Sequence, residues 1–176
     1  MLKPHDILVT LKLLLSPAES VPTYAGLALA LQLSASEAHS AVGRAVEAGL
    51  LRKPLAGTGR TMPMPVRSAL GEFLVSGVKY VWPAVRGPVT RGIPTAGSVP
   101  AVASLLGMPQ PELPLVWPHA EGTLRGESVE PLYPRAASVV AGDAALHEWL
   151  ALIDILRLKT GREAALAAAA IQKKLQ

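Results

Sequence analysis

Ser36, His39, Ser40, Gly43, Arg44 and Glu47 recur at three- and four-residue intervals, the spacing that gathers side chains on one side of a helix. The small residues at 36, 40 and 43 leave room for a helix backbone to approach a flat molecular edge closely. Arg44 carries a fork of donors that suits guanine or a phosphate, and His39 has a ring nitrogen that donates to a base acceptor or a phosphate. A second group follows. Arg52, Lys53 and Arg60 are cations placed to meet phosphates, with Thr58 between them in a Gly-rich turn. This is hydrogen-bonding and electrostatic chemistry, directed at an anionic polymer.

Bond-making chemistry finds no comparable constellation. The chain has no cysteine, which excludes thiolate catalysis, disulfides and cysteine-based zinc or iron–sulfur sites. His5, His39, His119 and His147 show no metal-ligand spacing, and His147-Glu148 lacks the second histidine of a zinc-protease motif. Gly57-Thr58-Gly59-Arg60-Thr61 lacks the lysine and the full spacing of a phosphate loop, and a hairpin turn explains it better. The expectation is a protein that is not an enzyme and needs neither metal nor cofactor.

Charge is unevenly placed. Between residues 44 and 91 eight cations, Arg44, Arg52, Lys53, Arg60, Arg67, Lys79, Arg86 and Arg91, face only Glu47 and Glu72. That stretch carries +6 in a chain of net +4, so the rest sums to −2. A basic stretch in a nearly neutral chain is the electrostatic footprint of a nucleic-acid partner; a solvated basic surface is the alternative.

The elements that must position these residues are mostly helical. Residues 4–15 carry Ile7, Leu8, Leu11, Leu14 and Leu15 as one apolar stripe, with Pro4 and Asp6 in the first turn. A loop over 16–22 leads to a short helix over 23–32 with Thr23 as its cap. Ser34-Ala35-Ser36-Glu37 has the spacing of a capping box and starts a third helix, which turns Ala38, Val42, Ala45 and Val46 inward and ends at Gly49. Beyond it, 50–55 and 60–64 read as two strands about a turn at 56–59, the second an edge because Pro63 and Pro65 cannot donate. A fourth helix covers 67–78.

Residues 23–53, TYAGLALALQLSASEAHSAVGRAVEAGLLRK, resemble the winged helix-turn-helix core of bacterial regulators of the MarR and Lrp type. The matching pieces are Tyr24, Leu27, Ala28, Leu31, Leu33-Ser34, Val42, Ala45, Val46 and Ala48-Gly49-Leu50-Leu51, and the likeness extends over about 5–66. Gln32 stands where these proteins often have glycine. The resemblance implies a DNA-binding domain over 1–66, with the third helix in the major groove and the hairpin wing on the backbone or minor groove.

Residues 67–176 resemble nothing comparable. Ten prolines and six glycines in 81–134 exclude regular helix and suggest an extended segment that wraps a partner or is partly mobile. Arg86 and Arg91, in RGPVTRG, are candidates for an arm reaching a minor groove, although packing on the chain itself is commoner for such a segment. Val81-Trp82-Pro83 and Val116-Trp117-Pro118 echo one another, each followed by Arg-Gly, and would pack side by side with both tryptophans as anchors; chance similarity is the alternative. Helices over 143–158 and 162–175 present Leu and Ala faces that need covering, and a twin subunit is the commonest cover.

The expected fold is therefore mainly α: three helices and a β-hairpin wing, a Pro/Gly-rich extended segment, and C-terminal helices. The expected function is a sequence-specific, dimeric repressor bound to double-stranded DNA, with a scaffold or antitoxin-like component that binds a second protein through residues 79–176 as the alternative. Lys3, Asp6 and Lys12 break the apolar N-terminus, so no secretory leader is read there, and no apolar run reaches the length of about 18 residues that a membrane span needs. A cytoplasmic location is expected.

Overall fold

The computed structural model describes residues 1–17, 20–57, 61–158 and 161–176. Contacts divide the chain into two compact units, Met1–Leu70 and Gly71–Gln176.

The first unit is built on α1 (Pro4–Leu15), α2 (Tyr24–Leu31) and α3 (Ala35–Glu47), followed by a short antiparallel pair, β1 (Leu51–Arg52) and β2 (Met64–Pro65). Each helix starts on a local signal. Lys3 N–H donates to the Asp6 carboxylate at 2.8 Å, and Thr23 Oγ1 accepts from Gly26 N–H at 3.1 Å. At α3 the capping box is complete: Ser34 Oγ accepts from Glu37 N–H at 3.1 Å and Glu37 Oε2 accepts from Ser34 N–H at 2.8 Å. Helix α2 stops at Gln32, whose φ of 52° is left-handed, and Gly49 takes φ 75° after α3. The core is Ile7, Leu8, Leu11, Leu27, Leu31, Ala38, Ala41, Val42 and Ala45, closed by Leu50, Leu51 and Met62. The return strand is shorter and later than the spacing predicts. Met64 and Pro65 pair with Arg52 and Leu51, while Thr58 and Arg60 lie outside the described residues.

A helical segment follows: α4 (Arg67–Glu72), a π-helical turn over Phe73–Gly77, and α5 (Val78–Val81). The second unit then departs from the expectation of a mainly α chain, and the architecture is mixed, with helices predominating. Strand β3 (Arg86–Pro94) pairs antiparallel with β4 (Leu115–Pro118) and β5 (Leu124–Val129), and β4 pairs parallel with β5, so three strands close on themselves. Pro88 falls at the register shift between Gly87 and Val89, where a residue without an N–H costs the ladder nothing. Gly92 and Gly126 are required by closure: a Cβ on either would collide with the carbonyl oxygen of Trp117 or Pro114. The echo of Val-Trp-Pro is not paired in space. Val116-Trp117-Pro118 forms β4, whereas Trp82 ends α5, half-buried with its ring 5.7 Å from that of Phe73.

Around this sheet lie α6 (Pro100–Leu106), α7 (Ala136–Val139), α8 (Ala144–Leu158) and α9 (Gly161–Lys174). Helix α8 is buried on almost every side from Trp149 to Arg157, packing on α5, α6 and α9. Its apolar face is thus covered within the chain, without the twin subunit that its composition suggests. Among the described residues no helix is long and apolar enough to cross a membrane.

Candidate functional site

The exposed side of α3 follows from its buried side. Ala38, Ala41, Val42 and Ala45 are buried against α1 and α2, which leaves Ser36, His39, Ser40, Gly43 and Glu47 exposed. Nothing lies within 4 Å of where a Gly43 Cβ would sit, so this face is open at its middle. His39 stands on the ring of Tyr24 from α2, centroids 4.9 Å apart and tilted by 41°. Arg52, in β1, and Lys53, just after it, are exposed. The structure therefore gathers one helix face, while Thr58 and Arg60 lie outside the described residues.

Arg44 is the residue whose expected role changes. It is not directed outward with its neighbours but is 19% exposed, with its guanidinium turned to α1. Nε donates to Asp6 Oδ2 at 2.9 Å and Nη2 to Asp6 Oδ1 at 2.6 Å, a bidentate fork on a fully buried carboxylate. Nη2 also lies 2.9 Å from His5 Nε2, which accepts from it. These bonds hold the Arg44 pKa above its ordinary value, chiefly through the Asp6 hydrogen bond. Burial lowers the His5 pKa, Asp6 opposes that, and Arg44 adds to it. The Asp6–Arg44 pair ties α3 to α1 and fixes the angle at which the exposed face is presented. Periodicity within α3 could not reveal this, because the partner lies 38 positions away.

The proposed arm is also corrected. Arg86 and Arg91 belong to β3, which pairs with β5 from Arg86 to Gly92, and Arg86 forms an ion pair with Glu127 at 3.0 Å. Arg91 is exposed, directly opposite Arg125. Arg-Gly dipeptides in a Pro-rich stretch read as a loop because strand pairing is a long-range property that composition does not carry.

A groove of about 1000 Å³ adjoins β2, lined by Leu13, Tyr24, Arg52, Met62, Met64 and Arg67 among others. Among the described residues its titratable groups are Tyr24, Arg52 and Arg67. Among the described residues no cluster of three or more His, Asp or Glu is placed to hold a metal ion. The first unit thus presents hydroxyl and imidazole groups on the exposed face of α3, and its exposed cations Arg52 and Lys53 lie in and just after β1. Compared with known proteins, the chain matches no family model, no curated protein and no solved structure.

Proposed function

We propose that the first unit is a winged helix-turn-helix domain that binds duplex DNA through α3, and that the protein is a sequence-specific transcriptional regulator, a dimeric repressor acting in the cytoplasm. The observation that carries this reading is the exposed face of α3, where Ser36, His39, Ser40 and Gly43 are small or donor-bearing and unobstructed. Small residues let the helix backbone enter the major groove, and His39, held on Tyr24, meets a base acceptor or a phosphate. Arg52 and Lys53 reach the phosphates beside the groove. Arg44 acts as a positioning residue through Asp6. Two such units in a dimer would read half-sites about one helical turn apart, giving a rough palindrome. The exposed Tyr80, Val81 and Val85 favour a protein contact of the second unit, with a twin copy or a second protein.

The test is duplex binding by anisotropy at two salt concentrations, with the DNA upstream of the protein's own coding sequence against a scrambled duplex. Preferential, salt-dependent binding to the upstream fragment is expected. Gly43→Glu, in open space on the helix, should leave the fold intact and abolish binding. Lys53→Ala should weaken binding to every duplex alike and shallow the salt dependence by about one unit. Equal, weak binding to both duplexes, unchanged by Gly43→Glu, would overturn the reading in favour of a protein-binding scaffold.

A further inference from the structure

The sheet of the second unit holds a feature that its own stability does not explain. Arg91 of β3 and Arg125 of β5 are register partners in an antiparallel ladder, so their side chains leave the same face side by side. Both are exposed, and no carboxylate among the described residues pairs with either. The acid nearest along the strand, Glu127, is taken by Arg86. Like charges directly opposite one another in a ladder are destabilising. The two arginines sit inside a ladder that runs from Arg86–Val129 to Gly92–Leu124, so they cannot move apart without breaking it.

We infer that Arg91 and Arg125 form a clasp for the phosphate group of a phosphate ester, a site independent of the DNA-binding reading. Two guanidinium forks on adjacent strands offer more donors than one carboxylate can accept, whereas a phosphate has oxygens for both forks at once. The bound anion would also cancel the repulsion between the cations. Val89, exposed two positions along the same strand from Arg91, provides an apolar surface beside the clasp for the organic part of the ester. A small phosphorylated molecule and the backbone of a single strand of nucleic acid both supply this group.

The experiment is a nuclear magnetic resonance titration of the full chain, following the Arg91 and Arg125 side-chain Nε–H signals at constant ionic strength. The probes are sodium pyrophosphate, sodium acetate and a mixed-sequence single-stranded oligonucleotide, with sodium chloride as the reference. Pyrophosphate should give saturating shifts with an affinity at least about tenfold above that of acetate. Arg91→Gln and Arg125→Gln should each remove most of that affinity. Tighter binding of the oligonucleotide through the same signals assigns the phosphate to a nucleic-acid backbone, and its failure beside pyrophosphate binding assigns it to a small ester. Melting followed by tryptophan fluorescence supplies a second readout. Without phosphate, Arg125→Gln should melt no lower than the parent, because it relieves a like-charge pair; with pyrophosphate, only the parent should gain stability. Shifts no larger than those with chloride, equal binding of acetate, or equal responses of parent and variants would each overturn the inference.

Discussion

Asp6 and Asp154 are both fully buried carboxylates paired with an arginine, one in each unit, and the chain handles them in opposite ways. Asp6 accepts from Arg44 and from the backbone of Lys3, and its partner is still 19% exposed. Asp154 is enclosed with its partner. Its Oδ2 accepts from Thr95 Oγ1 at 2.7 Å and Trp117 Nε1 at 2.6 Å, and its Oδ1 from Arg157 at 2.5 Å. Arg157, 3% exposed, also donates to the carbonyls of Trp82 and Glu130. The first pair is a brace between two helices, wet on one side. The second is a hub where the end of β3, β4, the chain after α5 and the chain after β5 meet α8. A carboxylate taken fully out of water is tolerated only when both its oxygens find donors, and among the described residues no buried side-chain polar atom lacks a partner.

The comparison breaks most visibly by removing one member of the enclosed pair. Asp154→Ala leaves the Arg157 charge buried with only carbonyls for company, and the second unit should lose about 3–5 kcal/mol. Urea unfolding followed by tryptophan fluorescence reads this directly, since Trp82, Trp117 and Trp149 all lie in that unit. A loss under about 1 kcal/mol would mean that water reaches Arg157 and that the hub is not enclosed.

Asp6→Ala should cost less. Its arginine can turn to solvent, so the expected loss is about 1–2 kcal/mol, confined to the first unit. Amide exchange in α3 is the measurement, with the tryptophan transition unmoved. The same variant sharpens the functional reading: duplex affinity should fall because α3 is presented less rigidly. Asp6→Asn, which still accepts one of the two guanidinium bonds, should recover part of both. A drop in affinity with unchanged exchange in α3 would instead give Asp6 a role beyond holding Arg44.

Comparing the two pairs also shows what was legible in sequence. The capping box at Ser34–Glu37, the stop at Gly49 and most of the buried side of α3 are local patterns that stand in the structure as the spacing predicts; Ala41 joins the buried set, and Val46, expected inward, is only half-buried. Gln32 in the left-handed region is a place where local preference is overruled, and Gln32→Gly should add stability, by about 0.5–1 kcal/mol, in a melt of the first unit. Neither ion pair was legible as a pair. Arg44 reads as an outward helical position because nothing in residues 34–48 points to Asp6. The hub was hidden inside the Pro/Gly-rich stretch, whose prolines read as breakers of structure. In the fold they stand where a strand tolerates them: Pro88 at the register shift, Pro94 and Pro118 as the last residues of β3 and β4. Composition registers the proline; only the pairing shows that its missing N–H is not needed.

The smallest expected effect separates the two sites by the sign of their pH dependence. The His5 pKa is lowered from 6.5 by burial first and then by Arg44, so folding favours its neutral form, the form that accepts from the Arg44 guanidinium. The stability that this contributes to the first unit is present above pH 6.5 and is lost as pH falls through the folded-state value. For Asp154, burial outweighs Arg157, Thr95 and Trp117 and raises the carboxyl above 3.8. Its contribution is therefore fully present below pH 3.8 and is lost as pH rises through the folded-state value, the reverse slope. Between about pH 7 and 5 the protection of amides in α1 and α3, corrected for the intrinsic exchange rate at each pH, should fall, and His5→Asn should flatten that change. Over the same acidification the tryptophan-monitored stability of the second unit should hold or rise on account of Asp154, and Asp154→Asn should remove any rise. Parallel loss in both units, unaffected by His5→Asn, would show that the acid response comes from net charge and not from these two sites, and the contrast between the wet brace and the enclosed hub would then have no electrostatic content.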